Sequence, residues 1–161
     1  MIPKFRAWIS ETDTMVDNLK GIDFENETVI LRKLYYEDGF PVETEVFEVE
    51  IGNAILMQST GLHDKNGEEI FDGDILKFND EFAEYCYEGY VDGSSEGINY
   101  VEIEKEKTCF TFGKTKIPES SLIYLVENEH YSFGELLTEA SYEFEIIGNI
   151  YENPELLEVT E

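Results

Sequence analysis

The sequence predicts a mainly β fold, at the margin of the α+β class: a small, curved, barrel-like antiparallel sheet with one or two short helices. Segments that alternate apolar and polar residues recur along the chain, as in strands with one buried face. Gly, Asn and Asp separate these segments as turn formers, and helical periodicity is confined to two short stretches. The 161 residues suit one ordinary domain, so we expect a single domain over residues 1–161.

The first third of the chain contains three predicted strands. Residues 5–9 alternate and run into a turn at 11–14, and residues 28–36 form a strongly β-prone run. Pro41 opens the third strand, in which the inward-facing apolar set shifts by one residue at Val46-Phe47. A one-residue slip of this kind predicts a β-bulge or a sharp bend.

The rest of the chain continues the β pattern and adds the two helical stretches. Further strands are predicted at residues 54–58, 75–78, 85–91, 98–103 and 108–112, with a flexible hairpin connection at 93–97 and a closing strand at 142–151. Helices are predicted at 119–127 and 132–140, and Ser132 with Glu135 has capping-box spacing. Asn153 and Pro154 suit the N-cap and first position of a short closing helical turn.

The composition predicts a folded, soluble and strongly acidic chain. Hydrophobic residues make up 42% and aromatic residues 14%, enough to build a core. Thirty-seven Asp and Glu against 11 Lys and Arg give a net charge of −26, which disfavours direct binding to nucleic acid or an anionic membrane, because phosphate contacts need Lys and Arg. No apolar run approaches the ~20 residues that span a bilayer, and the N-terminus lacks a signal-peptide pattern. We therefore expect a cytoplasmic protein.

No residue pattern points to catalysis or to a cofactor. His63 and His130 have no evident catalytic partner, and the sequence has no nucleophile elbow, phosphate-binding loop or dinucleotide glycine pattern. Cys86 and Cys109 form neither a disulfide framework nor a zinc set, and we expect both to be core or half-buried residues. We expect no enzymatic activity and no cofactor.

The most informative stretch is the 25 residues from Ala54 to Phe78. Asp64-Lys-Asn-Gly67 has the chemistry of a tight turn, and Asp72-Gly-Asp74 is a second reversal directly before an apolar strand. Gly73 is expected at positive φ, because a chain that reverses into a sheet often needs a conformation that only glycine adopts without steric cost. We interpret these residues as fixing the backbone path.

The alternative for this stretch is a Ca²⁺ site built from four carboxylates: Asp64, Glu68, Asp72 and Asp74. An EF-hand loop that starts at Asp64 needs Gly at its sixth position and Glu at its twelfth. This chain has Glu69 and Ile75 there. We therefore expect no metal site.

Three sequence boxes frame the chain. Lys4-Phe-Arg-Ala-Trp8 opens it, a Gln-x-Thr-Gly-Leu-x-Asp-x-x-Gly-x-x-Ile-x-x-Gly-Asp-Ile block starts at Gln58, and Ile-Gly-Asn-Ile-Tyr-Glu-Asn-Pro-Glu-Leu starts at Ile147. In this order the boxes resemble the YopX-like family of phage and prophage proteins of Gram-positive bacteria. The residues that carry the resemblance, which we expect to be structural, are Phe5, Arg6, Trp8, Gln58, Thr60, Gly61, Asp64, Gly67, Ile70, Gly73, Asp74, Gly148, Asn149, Tyr151, Asn153 and Pro154.

The resemblance implies a context and a fold but no mechanism, since the family carries no assigned activity. It implies a phage or prophage accessory protein in the cytoplasm of a bacterial host. Residues 20–50 and 79–97 depart from the family pattern, so we expect any partner-specific surface in those stretches. Because the boxes are far apart in sequence, we also expect one core to bury residues from all three: Phe5, Ile70, Ile75, Phe78, Phe144 and Ile146.

Two functional hypotheses follow from the acidic pattern. Glutamates two residues apart recur in predicted strands: Glu43/Glu45, Glu48/Glu50, Glu102/Glu104 and Glu143/Glu145. At a rise of ~3.3 Å per residue, such pairs lie on one face and resemble the charge spacing of a phosphate backbone. Half-exposed strands alternate this way in any case. We favour a non-enzymatic protein-interaction module; the alternative is an acidic DNA-mimic decoy for a host DNA-binding protein. Self-association into a homo-oligomer through aromatic-rich strands stays open.

Overall fold

Strands dominate the part of the chain that the computed structural model describes, residues 2–159. Strands hold 55% of the residues and helices 15%, and the antiparallel sheets include one curled into a half-barrel. The predicted mainly β, barrel-like fold with two short helices is confirmed. The strands are β1 (Phe5–Ile9), β2 (Thr14–Val16), β3 (Leu19–Asp23), β4 (Thr28–Glu37), β5 (Phe40–Glu50), β6 (Ala54–His63), β7 (Glu69–Phe71), β8 (Asp74–Tyr85), β9 (Val91–Glu106), β10 (Cys109–Thr115) and β11 (Glu145–Asn149).

The chain divides into two compact units, the first up to Ser59 and the second from Thr60 onward. In the first unit, β1 pairs with β2 and with the first part of β6, while β3, β4 and β5 form a second antiparallel sheet. Its buried cluster comprises Ala7, Ile9, Val16, Val29 and Leu31. The members lie two apart on β1 and β4, as expected for strands that bury one face. The single domain over residues 1–161 stays a prediction.

The second unit is built on a sheet with strand order β10-β9-β8-β11. Helix α1 (Ser121–Asn128) packs on β8, and helix α2 (Phe133–Leu137) packs on β10. Aromatic rings fill the space between them: Phe78 stacks on Phe144 with centroids 5.2 Å apart, and Phe112 lies 4.8 Å from Phe133. The buried cluster comprises Ile70, Leu76, Phe78, Val101, Ile103, Phe112, Leu122, Leu136, Leu137 and Phe144.

We expected one core to bury residues from all three boxes, and this prediction is wrong for Phe5. That residue is half-buried in the first unit, where β1 pairs with residues 54–58 of β6. The other members belong to the second unit, with Ile146 half-buried and four fully buried: Ile70, Ile75, Phe78 and Phe144. The N-terminal box therefore contributes to the cluster around Ala7.

The hairpin between β8 and β9 turns earlier than the sequence predicted. Residues 93–97, predicted as a flexible connection, lie within β9, and the predicted strand at 85–91 contains the turn. The reversal is made at Cys86, whose N–H donates to Tyr90 O at 2.8 Å, and Gly89 adopts φ +86° there. One glycine at positive φ suffices for this tight turn, so the Gly- and Ser-rich stretch is free to pair as a strand.

The β-bulge predicted at Val46-Phe47 is wrong. The pairing of β5 with β4 runs without interruption through these residues, and the register shifts instead beside Pro41, which faces Tyr36. Proline lacks an N–H and is tolerated in strands mainly at bulges and edges. The apparent slip has another cause: Val42 and Val46 lie on the exposed face of β5, so apolar residues occupy both faces.

Several local predictions hold and others need correction. The capping box is confirmed, because Ser132 accepts from the Glu135 N–H while the Glu135 carboxylate accepts from the Ser132 N–H. The closing strand is shorter than predicted, since Glu143 has φ +49° after a 3-10 turn at Ala140–Tyr142 and β11 starts at residue 145. Cys86 is half-buried as expected, but Cys109 is exposed at the start of β10. Strands β2, β3 and β7 were not predicted.

Within residues 2–159, no helix combines the length and the apolar character needed to cross a membrane.

Candidate functional site

The Asp64 turn shows what the central box does. The buried carboxylate of Asp64 accepts the N–H groups of Asn66 and Glu68 at 2.9 Å through Oδ1, and that of Ile146 at 3.0 Å through Oδ2. Gly67 closes the turn at φ +81°, and its N–H donates to Asp64 O at 3.0 Å. One side chain thus shapes the turn and holds β11 against it, which is an architectural role.

The second reversal has the same character. Gly73 is buried at φ +87°, so its predicted positive φ is confirmed. Its N–H donates to Ile103 O at 2.7 Å, and its carbonyl accepts from the Ile150 N–H at 2.9 Å. Asp74 is buried beside it and accepts the Phe71 N–H at 2.8 Å. The reversal at the start of β8 is therefore hydrogen-bonded both to β9, at Ile103, and to the chain just after β11, at Ile150.

The C-terminal box folds onto itself through two asparagines. Asn149 Oδ1 accepts the Tyr151 N–H at 3.0 Å, while Asn153 Oδ1 lies 3.3 Å from the Asn149 N. Gly148 is required because a Cβ there would overlap the Asn153 side chain. Pro154 opens the predicted helical turn, Pro154–Leu157, with Asn153 at the N-cap position, but the Asn153 side chain points back to Asn149 and does not cap it.

The remaining box residues also lie in ordered backbone positions. Thr60 donates to Ile70 O at 2.8 Å, and Gly61 has φ +76° within β6. In the first unit, Phe5 pairs in register with Gln58, and two further box residues, Arg6 and Trp8, are buried. The structure thus places four of the sixteen motif residues in the first unit and twelve in the second.

The carboxylates considered for Ca²⁺ do not converge. Among residues 2–159, no group of three or more His, Cys, Asp or Glu side chains is placed to hold a metal ion. The oxygens of Asp64 and Asp74 instead accept backbone N–H groups. This is how a carboxylate stabilises a turn.

A better candidate for a functional surface is the outer half of the β8–β9 hairpin. Strands β8 and β9 pair from Ile75↔Glu102 to Tyr85↔Val91. Strand β11 pairs with β8 only at residues 74–77. Strand β10 pairs with β9 only within residues 101–106. Residues 78–98 therefore form a two-stranded ribbon that no further strand flanks in the described part of the chain. We call it the distal ribbon.

The distal ribbon is acidic and rich in exposed aromatic groups. It contains no Lys or Arg, and six acidic residues: Asp80, Glu81, Glu84, Glu88, Asp92 and Glu96. At its tip Tyr85, Tyr87 and Tyr90 are exposed, as is Val91. Exposed tyrosines next to unpaired strand edges are features of protein-binding surfaces.

A groove runs between the distal ribbon and α1. It consists of two cavities of about 600 and 450 Å³ that share Glu81, Ser121 and Tyr124 as lining residues. The buried carboxylate of Asp80 anchors the helix to the ribbon, accepting the Ser121 hydroxyl at 2.9 Å and the Asn99 amide at 2.9 Å. The base of the groove is therefore fixed by hydrogen bonds.

Acidic side chains line both sides of the groove. Glu81 and Glu96 face each other in register across the ribbon, and Glu119 lines the α1 side. The phenol of Tyr142 also lines the groove: burial raises its pKa, and the charge of Asp80 raises it further. Like charges directly opposite on paired strands destabilise the ribbon, so a cation between them would be stabilised.

A related burial effect acts on Glu102, closer to the core. Burial raises the pKa of this carboxyl, Glu104 raises it further, and Lys114 acts in the opposite direction. The native state thus binds a proton more tightly than the unfolded state, and stability falls as the pH rises above the ordinary Glu pKa of about 4.3. Glu102→Gln should raise the melting temperature by about 1–2 °C near pH 7.5, a small effect because Glu102 is partly solvated.

The control for Glu102→Gln is the same measurement near pH 4, where the gain should shrink because the wild-type carboxyl is then largely protonated. A gain of equal size at both pH values would contradict the electrostatic explanation. Thermal melts by circular dichroism measure both.

Comparison with protein families decides which group the chain belongs to. The model of the YopX protein family matches residues 4–158. The chain is a member of the YopX family. The match includes all three boxes, so the resemblance noted in the sequence is confirmed. This YopX chain is similar to the crystal structure of protein EF1440 from Enterococcus faecalis, with 30% sequence identity and a TM-score of 0.56. The match covers 98% of the present chain and 99% of the EF1440 chain. A search of curated proteins finds no match.

The structure adds functional candidates to those that the YopX boxes supplied. Residues 79–97 were expected to depart from the family pattern, and they lie in the distal ribbon. Sequence reasoning did not identify the groove, because Glu119, Ser121 and Tyr124 lie in α1 or directly before it, far from β8 in sequence. One signal was available: residues 78–104 contain eight acidic residues and six Tyr or Phe residues, with no basic residue among them.

Proposed function

We propose that this YopX-family chain is a non-enzymatic protein-interaction module and that the distal ribbon, together with α1, is its partner-binding surface. The phage or prophage setting and the cytoplasm of a bacterial host belong to this proposal. The observation that carries it is the ribbon itself: paired strands without a flanking strand among residues 2–159, tipped by three exposed tyrosines.

Physical properties of the ribbon support binding to a protein. Strand edges offer rows of N–H and C=O groups to an incoming chain. Tyrosine supplies a large contact area at low entropic cost and is enriched in binding hot spots. The acidic residues along the ribbon and at its turn, such as Glu84 and Glu88, oppose indiscriminate edge-to-edge association. The surface is therefore suited to a specific partner.

The acidic-decoy alternative has less support from the placement of the glutamate pairs. Because the β5 register is continuous, Glu43/Glu45 and Glu48/Glu50 lie on opposite faces of that strand. The Glu102/Glu104 pair is only partly exposed. In the last pair, Glu145 lies 3.4 Å from the Lys65 ammonium. These pairs do not form one continuous acidic row along a strand.

Affinity capture from a bacterial lysate tests the proposal. The chain and a triple variant, Tyr85→Ser, Tyr87→Ser and Tyr90→Ser, are immobilised at equal density. The matched control replaces three exposed aromatic residues of the first unit: Phe24→Ser, Tyr36→Ser and Phe40→Ser. We expect a protein that the wild type and the control capture, and that the ribbon variant captures at least about tenfold less, as for loss of a hot spot.

Capture that is insensitive to the ribbon variant, or equally reduced by both variants, would contradict this role of the ribbon. Adding double-stranded DNA distinguishes the two functions. A captured protein that DNA displaces would favour the decoy, because a decoy and DNA compete for one basic surface.

A further inference from the structure

We propose that the groove between the distal ribbon and α1 binds an extended, lysine- or arginine-rich segment of the partner protein. This inference rests on the proposed function, because it specifies the chemistry of the partner at the same surface. It is carried by charge complementarity, by the aromatic lining of the groove and by its length.

The charge of the groove favours a basic occupant. Glu81 and Glu96 lie opposite each other and line one cavity, while Glu81 and Glu119 line the adjoining one. The lining of both cavities contains no Lys or Arg. A Lys or Arg side chain placed between Glu81 and Glu96 would replace a repulsive cross-strand pair with two attractive ones.

The aromatic residues of the groove suit the same occupant. Tyr124 is 56% exposed and lines both cavities, and Tyr85 lines one of them. A cation over a tyrosine ring is attracted by the ring quadrupole. The chain makes such contacts internally, with Lys33 Nζ 5.4 Å from the Tyr35 centroid and Lys116 Nζ 5.1 Å from that of Tyr100.

The length of the groove indicates an extended segment. Its lining follows β8 from Asn79 to Tyr85, which at ~3.3 Å per residue corresponds to about 20 Å. An extended peptide of about six residues covers that distance. A second copy of this chain is a poor occupant, because each copy carries a net charge of −26 and the ribbon would meet another acidic surface.

Fluorescence anisotropy with two labelled peptides tests the inference. One peptide has eight residues with Lys and Val alternating, and the other has Glu in place of each Lys. The groove variant carries Glu81→Gln, Glu96→Gln and Glu119→Gln. The matched control removes three exposed charges of β5: Glu43→Gln, Glu48→Gln and Glu50→Gln. Both variants have the same net charge and are measured at about 0.15 M salt, where distant charges are screened.

We expect the Lys peptide to bind and the Glu peptide not to bind. The groove variant should weaken binding at least about tenfold and the control less than about threefold, because only close charges act strongly through screening salt. Tyr124→Ala should weaken binding further than Tyr36→Ala, since only Tyr124 lines the groove.

Equal weakening by the groove variant and the control, or no binding of the Lys peptide to the wild type, would overturn the inference. A wild-type dimer that the groove variant dissociates in sedimentation velocity would also overturn it, in favour of a second copy as occupant. Ribbon-dependent capture from lysate without Lys-peptide binding would leave the proposed function in place. Peptide binding without any ribbon-dependent capture would remove support from the proposed function only.

Discussion

Gly73→Val is expected to destabilise the second unit by about 3 kcal/mol or more. A residue with a Cβ at positive φ costs about 1–2 kcal/mol, and Gly73 sits at φ +87°. The position is also buried, and its N–H and C=O are both hydrogen-bonded, to Ile103 and Ile150. A branched side chain inserted into such a site costs roughly another 1–3 kcal/mol. Urea unfolding followed by circular dichroism measures the loss.

Three variants separate backbone strain from burial and from ligand binding. Gly39→Val is the matched control, because Gly39 has φ +80° with no atom within 4 Å of a Cβ built there. This variant should therefore lower the free energy of unfolding only by the cost of backbone strain. Asp72→Asn and Asp74→Asn should each cost less than Gly73→Val. A melting temperature that rises with Ca²⁺ or Mg²⁺ and no longer does so in Asp74→Asn would show that the motif is a metal site.

Features fixed by neighbouring residues could be predicted from the sequence. The Gly73 reversal, the Asp64-Gly67 turn and the Ser132 capping box each depend on side chains and backbone groups within a few residues. Local hydrogen-bonding chemistry determines such features with little help from the rest of the fold. The β-rich class was predictable for the same reason, since alternation is a local property.

Features that depend on strand register could not be predicted. The turn at Cys86–Tyr90 contains one glycine, while the more turn-like residues 93–97 pair with β8. Pairing there is decided by the register that continues from Ile75↔Glu102, in the core, out to the tip. The apparent slip at Val46-Phe47 misled for a related reason, because the exposed face of β5 also carries apolar residues, Val42 and Val46.

The candidate binding surface was predictable only in part. The sequence indicated residues 79–97 as a stretch with its own character, and the distal ribbon lies there. The groove also needs Glu119 and Tyr124, which reach the ribbon because Asp80 accepts the Ser121 hydroxyl across 41 positions of sequence. A contact of that range leaves no periodic signal in the sequence, so only the folded chain brings these residues together.

Asp64→Ala is expected to cost about 3 kcal/mol, because it removes the common acceptor of three N–H groups. The carboxylate bonds Asn66 and Glu68 in the turn and Ile146 at the start of β11, and it is buried. A buried donor left without an acceptor costs about 1–3 kcal/mol. Asp64→Ala leaves three such donors without their acceptor. Water that enters the turn replaces part of the lost bonding, so the total cost is smaller than three times the cost of one donor. Urea unfolding of the variant measures the loss.

Asp23→Ala is the matched control, since Asp23 also accepts two backbone N–H groups of its own turn, from Glu25 and Asn26. These bonds lower the pKa of Asp23, and the Asn26 N–H has the largest effect. The turn is exposed, however, so water can replace the carboxylate as the acceptor of these N–H groups. Asp23→Ala should therefore lower the melting temperature clearly less than Asp64→Ala. Hydrogen exchange locates the difference: Asp64→Ala should increase the exchange rate of the Ile146 N–H. If the two variants lose equal stability, the bond from Asp64 to β11 contributes nothing beyond its own turn, and the central box would act only locally.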